Sequence, residues 1–312
     1  MNEHSRILAM HADMLTLFPN KPERWEFVDT SGGVKQAITE NGHQVDILLS
    51  ASIEKLDKAM LDRFPNLKMI ASISAGFSNI DLDECKARNI AITNAPGMNS
   101  SDVADVAVTL MTSLLLKVRE KHDYILFDGW TTNAPPLRHS LRGMPIGVVG
   151  LGSIGMEVVK RLEPFGVDIK WWGPRPKPEI TYPYVGSLGQ LAEQCRGLIV
   201  CCRPEQSTHH LINQEILDQL GAEGVLVNVS RGIVVNESAL ITSLKAGTVG
   251  GAGLDVFDPE PTNSSRWADV PNVMLSPHQG GSTYETLFAQ AQLVQNNIEN
   301  FIDGKPLLTS VF

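Results

Sequence analysis

The sequence predicts an α/β protein built as two parallel-sheet units, and three observations carry that prediction. Short apolar runs rich in β-branched residues recur along the chain, stretches of helical length separate them, and the series breaks once near residue 99. Apolar runs without alternation suit strands buried on both faces, as in a parallel sheet covered by helices. Strand and helix alternation then implies right-handed crossovers. A length of 312 residues agrees with two domains of roughly 150 each.

In chain order, Ile7–Met10, Val45–Leu49, Met69–Ile73 and Ile90–Thr93 form the first strand series. Asn94-Ala95-Pro96-Gly97 reads as a loop. Ser100–Val118 follows as one long apolar helix, with the hydroxyl of Ser100 or Ser101 as its cap. A polar, proline-containing stretch, Asp128–Gly143, leads to the second series: Ile146–Val149, Val167–Trp172, Leu198–Cys202, Val225–Val229 and Val273–Leu275. A last helix from about Thr283 to Phe301 stops at Asp303-Gly304-Lys305-Pro306. These breaks place a first domain over residues 1–98, a second over 99–284, and a tail, 285–312, that returns to the first.

Composition narrows the function. Twenty-six basic against thirty-five acidic residues leave a net charge of −9, which has no general attraction for nucleic acid or for an anionic membrane surface. No apolar run approaches the roughly 18 residues of a membrane helix, and the start, MNEHSRILAM, lacks the basic-then-apolar order of a signal peptide. Cys85, Cys195, Cys201 and Cys202 fit neither ordinary disulfide nor zinc spacing, so we expect reduced thiols, a cytoplasmic setting and no bound metal.

The first chemistry-bearing motif runs from Pro145 to Val159. It places Gly150-x-Gly152-x-x-Gly155 between a strand and a helix, with another strand following. Gly150 allows the tight turn, Gly152 lets backbone approach a pyrophosphate, and Gly155 lets helix pack on strand. The helix start at Ser153 and Ile154 offers free N–H groups and the positive end of the dipole. The bland alternative is a glycine turn needed only for packing. Where an NAD site usually carries an acid at the end of the next strand, this chain reads Gly173-Pro174-Arg175-Pro176-Lys177; Asp168 lies at the strand's entry, the wrong end. An acid would repel a 2′-phosphate, whereas Arg175 and Lys177 can meet one. Two solvated surface cations are the alternative. We expect NADPH, with NADH possible.

Three further strand ends carry ionisable groups. Arg231 follows Val225–Ser230, Asp255 and Glu260 lie in Gly253–Pro261, and His278 lies in Leu275–Gly281. Ligands of open α/β sheets bind outside the carboxyl ends of the strands, so these side chains can converge on one site. Reduction of a 2-oxo acid needs such a set. A permanent cation binds the carboxylate and polarises the carbonyl (Arg231), an imidazole supplies the proton (His278), and a carboxylate orients it (Glu260). Taken singly, the arginine would read as a surface ion pair and the histidine as structural; the glycine turn shifts the balance.

At these residues the chain resembles the D-isomer-specific 2-hydroxyacid dehydrogenase family. The matching stretches are Gly150–Gly155, Cys202–Asn213 (CRPEQSTHHLIN), Asn228–Gly232 (NVSRG), Gly253–Pro261 (GLDVFDPEP) and Pro277–Gly281 (PHQGG), with Ser74–Asp81 similar to the family's substrate loop. The resemblance implies two Rossmann-like domains, the dinucleotide-binding one inserted in a flavodoxin-like substrate domain. It makes Arg231, Glu260 and His278 the catalytic set, with Arg231 and His278 also binding substrate beside the amides of Ala75 and Gly76. It gives Asp255 to the carboxamide end of the nicotinamide and Cys202, Arg203, Pro204 and Thr208 to the cofactor's flank, with Val229, Ser230 and Gly280 as further cofactor contacts. It also implies a homodimer joined through the cofactor domain, where Trp130 would either reach a neighbouring pocket or anchor the interface.

Within the family, the acid-free Gly173-Pro174-Arg175, Tyr182–Tyr184 and Lys305–Leu308 look most like the NADPH-dependent glyoxylate/hydroxypyruvate reductases, and the hydroxyphenylpyruvate reductases share several of these features. Two departures stand out: Asp105 where Glu is frequent, and Arg203 where an uncharged residue is common. The expected activity is NADPH-dependent reduction of a small 2-oxo acid. Its rivals are another D-2-hydroxyacid dehydrogenase activity and a corepressor-like protein that senses dinucleotide without turnover; formate oxidation would not need Glu260.

Overall fold

The computed structural model describes residues 4–51, 54–77, 79–128, 130 and 137–312. Ser78 of the substrate-loop motif, and within the polar stretch residues 129 and 131–136, lie outside them. The chain forms two compact units, Met1–Asn99 with Ser282–Phe312, and Ser100–Gly281.

In the first unit, β1 (Ser5–Ala9), β2 (Trp25–Phe27), β3 (Ile47–Ser50), β4 (Met69–Ser72) and β5 (Ala91–Thr93) form a parallel sheet of order β2-β1-β3-β4-β5. That order is the flavodoxin-like arrangement. The unalternating apolar runs have a direct cause: Ile47 and Leu49 pack into one core layer while Leu48, between them, packs into the layer on the opposite face. The last helix, Tyr284–Ile302, completes this unit and packs Ala291, Val294 and Ile298 on the second layer. Thr283 caps it by accepting from Thr286 N at 3.1 Å, and Gly304, at φ +67°, follows its end.

The second unit holds β6 (Pro145–Val149), β7 (Asp168–Trp172), β8 (Gly197–Val200), β9 (Val225–Asn228), β10 (Gly251–Leu254) and β11 (Val273–Leu275), parallel and in the order β11-β10-β9-β8-β6-β7. After β7 the chain crosses to the other side of β6 to lay down β8, so a topological switch lies between β6 and β8. Trp172, Val149, Val200, Asn228, Leu254 and Leu275 stand in one cross-strand row. The residues that follow them, including Gly150, Cys201, Val229 and Asp255, therefore leave the sheet along a single edge.

Some expectations change. Two strands, β2 and β10, were not among the apolar runs read from sequence. The long helix is Ser100–Leu115, broken at Lys117 (φ +54°) before a second helix, Val118–Asp123. Ser100 is its first helical residue rather than its cap, and Ser101 Oγ accepts from Arg161 Nη2 at 2.5 Å. Arg161 Nε also donates to Asp105, at 2.6 Å, which gives that departure from the family pattern a local packing role. Cys85, Cys195, Cys201 and Cys202 are free, and burial pushes the Cys85 and Cys202 thiols up to about 11 and Cys195 up to about 12. Among the described residues, no helix is long and apolar enough to cross a membrane.

Candidate active site

The turn after β6 assigns a different physical task to each glycine. Gly150 has φ +90°, and a Cβ there would come within 2.6 Å of Cys202 Cα, so both conformation and space require glycine. A Cβ at Gly155 would lie 2.4 Å from Gly150 O, which fixes how closely the following helix, Ser153–Leu162, approaches its strand. Gly152 differs: a Cβ there would meet nothing within 4 Å. Gly152 and Ser153 are exposed, Ile154 is half-buried, and the helix start has no side-chain cap. An open approach beside uncapped helix amides, at the switch between β6 and β8, is what a dinucleotide pyrophosphate requires.

The neighbouring loops frame that turn. Cys202 packs on Gly150, and its carbonyl accepts from Ser230 Oγ, which ties the β8 exit to the β9 exit. Val229 and Ser230 are buried. Arg203 and Pro204 are exposed; Thr208 accepts from Glu205 N at 2.7 Å and its hydroxyl lies 3.0 Å from Arg203 O, folding the loop on itself. At the β7 exit, Arg175 is exposed and makes no hydrogen bond or ion pair among the described residues. Lys177 instead reaches back to donate to Leu151 O at 2.7 Å, inside the glycine turn. Asp168 opens β7, at the opposite end of the strand.

Glu260 and His278 meet at the exits of β10 and β11, and the charge of Arg231, at the exit of β9, acts on Glu260. Glu260 Oε2 and His278 Nδ1 are 2.6 Å apart. Because a carboxylate only accepts, Nδ1 carries the proton of this bond, which leaves Nε2 outside it. Glu260 Oε1 accepts from Phe257 N at 2.9 Å. Burial pulls the Glu260 carboxyl up, but the bonds from His278 and Phe257 and the charges of His278 and Arg231 outweigh it, so it lies below its ordinary value.

Arg231 is held by Asn228, whose Nδ2 donates to Arg231 O at 3.0 Å and whose Oδ1 accepts from Ser230 N at 3.0 Å. His278 has a left-handed backbone, φ +54°. The buried Asp255 secures its loop: Oδ1 accepts from Ser276 Oγ at 2.6 Å and Gln279 N at 3.0 Å, and Oδ2 from Gly280 N at 2.9 Å. Ala75 and Gly76 stand in the other unit, after β4, where Asn94 Nδ2 donates to Ala75 O at 2.6 Å.

Residues 108–280 match the model for the D-isomer specific 2-hydroxyacid dehydrogenase NAD binding domain. The chain belongs to this family. As a D-2-hydroxyacid dehydrogenase it is 38% identical to a hydroxyphenylpyruvate reductase of Plectranthus scutellarioides and 38% identical to a glyoxylate/hydroxypyruvate reductase A of Arabidopsis thaliana; each alignment covers 82% of this chain and 82% of the relative. The crystal structure of an NADPH-dependent glyoxylate/hydroxypyruvate reductase from Sinorhizobium meliloti, in complex with NADP and malonate, superposes with a TM-score of 0.85. It is 33% identical and covers 99% of this chain and 97% of that one.

Several residues of this dehydrogenase's site escaped the sequence reading. Gly232 is one: a Cβ there would sit 1.9 Å from Phe257 C, so the Arg231 turn touches the Glu260 loop through it. A glycine directly after a strand-end arginine was the available signal. Ser276 and Gln279, which bind Asp255, lie in the Leu275–Gly281 stretch already singled out, but as ordinary polar loop residues neither was given a role of its own.

Proposed function

We propose that this dehydrogenase reduces a small 2-oxo acid of the glyoxylate/hydroxypyruvate class to the D-2-hydroxy acid, with NADPH as reductant. The observation that carries the reading is the Arg231, Glu260 and His278 set, placed on the same sheet edge as the glycine turn. Bound nicotinamide supplies hydride to C2 of the substrate. The Arg231 guanidinium binds the carboxylate and polarises the 2-oxo group, and the His278 imidazolium gives its Nε2 proton to the oxygen as negative charge develops there. Glu260 stabilises that imidazolium through Nδ1 and keeps Nε2 aimed at the substrate. Ala75 and Gly76 are assigned to the substrate carboxylate by the family's motif.

For the cofactor, Gly150, Gly152 and Gly155 with the amides of Ser153 and Ile154 would cradle the pyrophosphate. Cys202, Arg203, Pro204, Thr208, Val229, Ser230 and Gly280 would flank the rest, and Asp255 the carboxamide end. The preference for NADPH rests on a β7 exit without a carboxylate, where Arg175, with no partner among the described residues, can meet a 2′-phosphate beside Lys177. We further propose a cytoplasmic homodimer. The free, protonated thiols support the compartment, and the exposed Ile125, Leu126, Phe127 and Trp130 support the dimer.

Oxidation of NADPH by glyoxylate, hydroxypyruvate and hydroxyphenylpyruvate, each repeated with NADH, tests this. Turnover highest with NADPH and one of the two smaller acids supports the reading. Preference for hydroxyphenylpyruvate transfers it to the activity named for the Plectranthus relative. Tight NADPH binding without turnover of any 2-oxo acid contradicts it and favours a sensing role.

A further inference from the structure

Glu237 takes no part in the chemistry proposed above, yet it is a charged side chain almost wholly withdrawn from water, with 3% exposed. It opens the helix Glu237–Ala246, where the dipole favours negative charge. Glu237 Oε1 accepts from Asp258 N at 2.7 Å, and Oε2 faces Arg266 Nη1 at 2.8 Å. That same Nη1 donates to Asp258 O at 2.9 Å. The two charged groups therefore grip the amide and the carbonyl of one residue. A buried ion pair is costly to assemble and is weak evidence of added stability, so its placement calls for a reason.

The reason lies one bond away. Phe257, joined to Asp258, gives its N–H to Glu260. A Cβ on Gly232 would lie 1.9 Å from Phe257 C, 2.1 Å from Phe257 O and 2.5 Å from Asp258 N, so the Arg231 turn rests on this same peptide. We propose that Glu237 and Arg266 are positioning residues whose ion pair fixes the Phe257–Asp258 peptide, and through it holds Glu260 on His278 and seats the Arg231 turn. The inference rests on the proposed function for its kinetic consequences. Burial pushes the Glu237 carboxyl up, the Asp258 N–H and Arg266 draw it down, and the charges of Asp258 and Glu260 push it up again. The clamp and the His278 partner are thus electrostatically linked as well as bonded to neighbouring residues.

A double-mutant cycle on the full-length protein tests this. Glu237→Ala should lower kcat about tenfold, the scale expected when directly coupled residues are separated, with NADPH affinity unchanged. Glu237→Gln, which keeps an acceptor for Asp258 N, should lower it less. In a Glu260→Gln background, Glu237→Ala should cost clearly less than in the wild type, because the part of the clamp's effect that runs through Glu260 is already lost. Effects that multiply, or an unchanged kcat in Glu237→Ala, would overturn the proposal. Should Glu237→Ala not fold, Glu237→Gln and Arg266→Met carry the same comparison. The downfield proton resonance of the His278–Glu260 bond gives a readout independent of substrate. It should shift or broaden in Glu237→Ala even if no 2-oxo acid is turned over, and an identical resonance would refute the clamp.

Discussion

His278 occupies a left-handed backbone conformation that few non-glycine residues adopt, and Asp255 holds it there through Ser276, Gln279 and Gly280. The loop therefore fixes the His278 backbone, while Glu260 fixes the ring and supplies the charge. The Glu260 carboxyl lies below its ordinary value. A carboxylate with a depressed folded value contributes stability that is present above the unfolded value and is lost as pH falls through the folded one. The Glu260–His278 pair should accordingly persist until the pH falls below the ordinary carboxylate range. Rate profiles against pH should show kcat/KM falling on the acid side only below about 4.3, the unperturbed glutamate value. Glu260→Gln should remove that limb and lower kcat by about a hundredfold, within the usual range for a partner of general acid catalysis. An acid limb unmoved in Glu260→Gln would assign it elsewhere.

At the scale of elements, the β6 turn separates folding from binding. Gly152→Ala places a methyl group in open space, so the unfolding temperature should change little while NADPH affinity falls. Gly155→Ala drives a Cβ to 2.4 Å from Gly150 O and should lower both. Thermal unfolding beside a fluorescence titration distinguishes them, and equal behaviour of the two variants would contradict the division of roles. The same element shows what sequence can and cannot convey. Glycine spacing between apolar runs announced the turn, and strand ends announced Arg231, Asp255 and His278, because buried parallel strands leave their exits as the sites where polar groups can gather. The end of β10 was legible at Asp255 but its body was not read as an apolar run, because Gly251-Ala252-Gly253-Leu254 lacks β-branched residues; β2 stayed hidden because it spans only Trp25–Phe27 at a sheet edge. Lys177 on Leu151 and Glu237 under Asp258 are tertiary meetings, and no local pattern encodes them.

For the whole molecule, both sheet orders follow from one crossover habit used twice, and this much was legible as alternation and a single break in the chain. The helix break at Lys117 was not, since the apolar pattern runs through it. Beyond that break, Val118, Ile125, Leu126, Phe127 and Trp130 leave large apolar side chains in water. Light scattering should therefore find twice the mass of one chain, and Leu126→Glu with Phe127→Glu should halve it; a monomeric wild type would contradict the proposed dimer. The central claim concerns three residues and one proton. Its most direct test is turnover of glyoxylate or hydroxypyruvate by His278→Asn, measured beside NADPH affinity. We expect turnover to fall by about a hundredfold or more, the usual contribution of a general acid, with cofactor binding intact. Turnover that survives the substitution would show that the proton comes from another group.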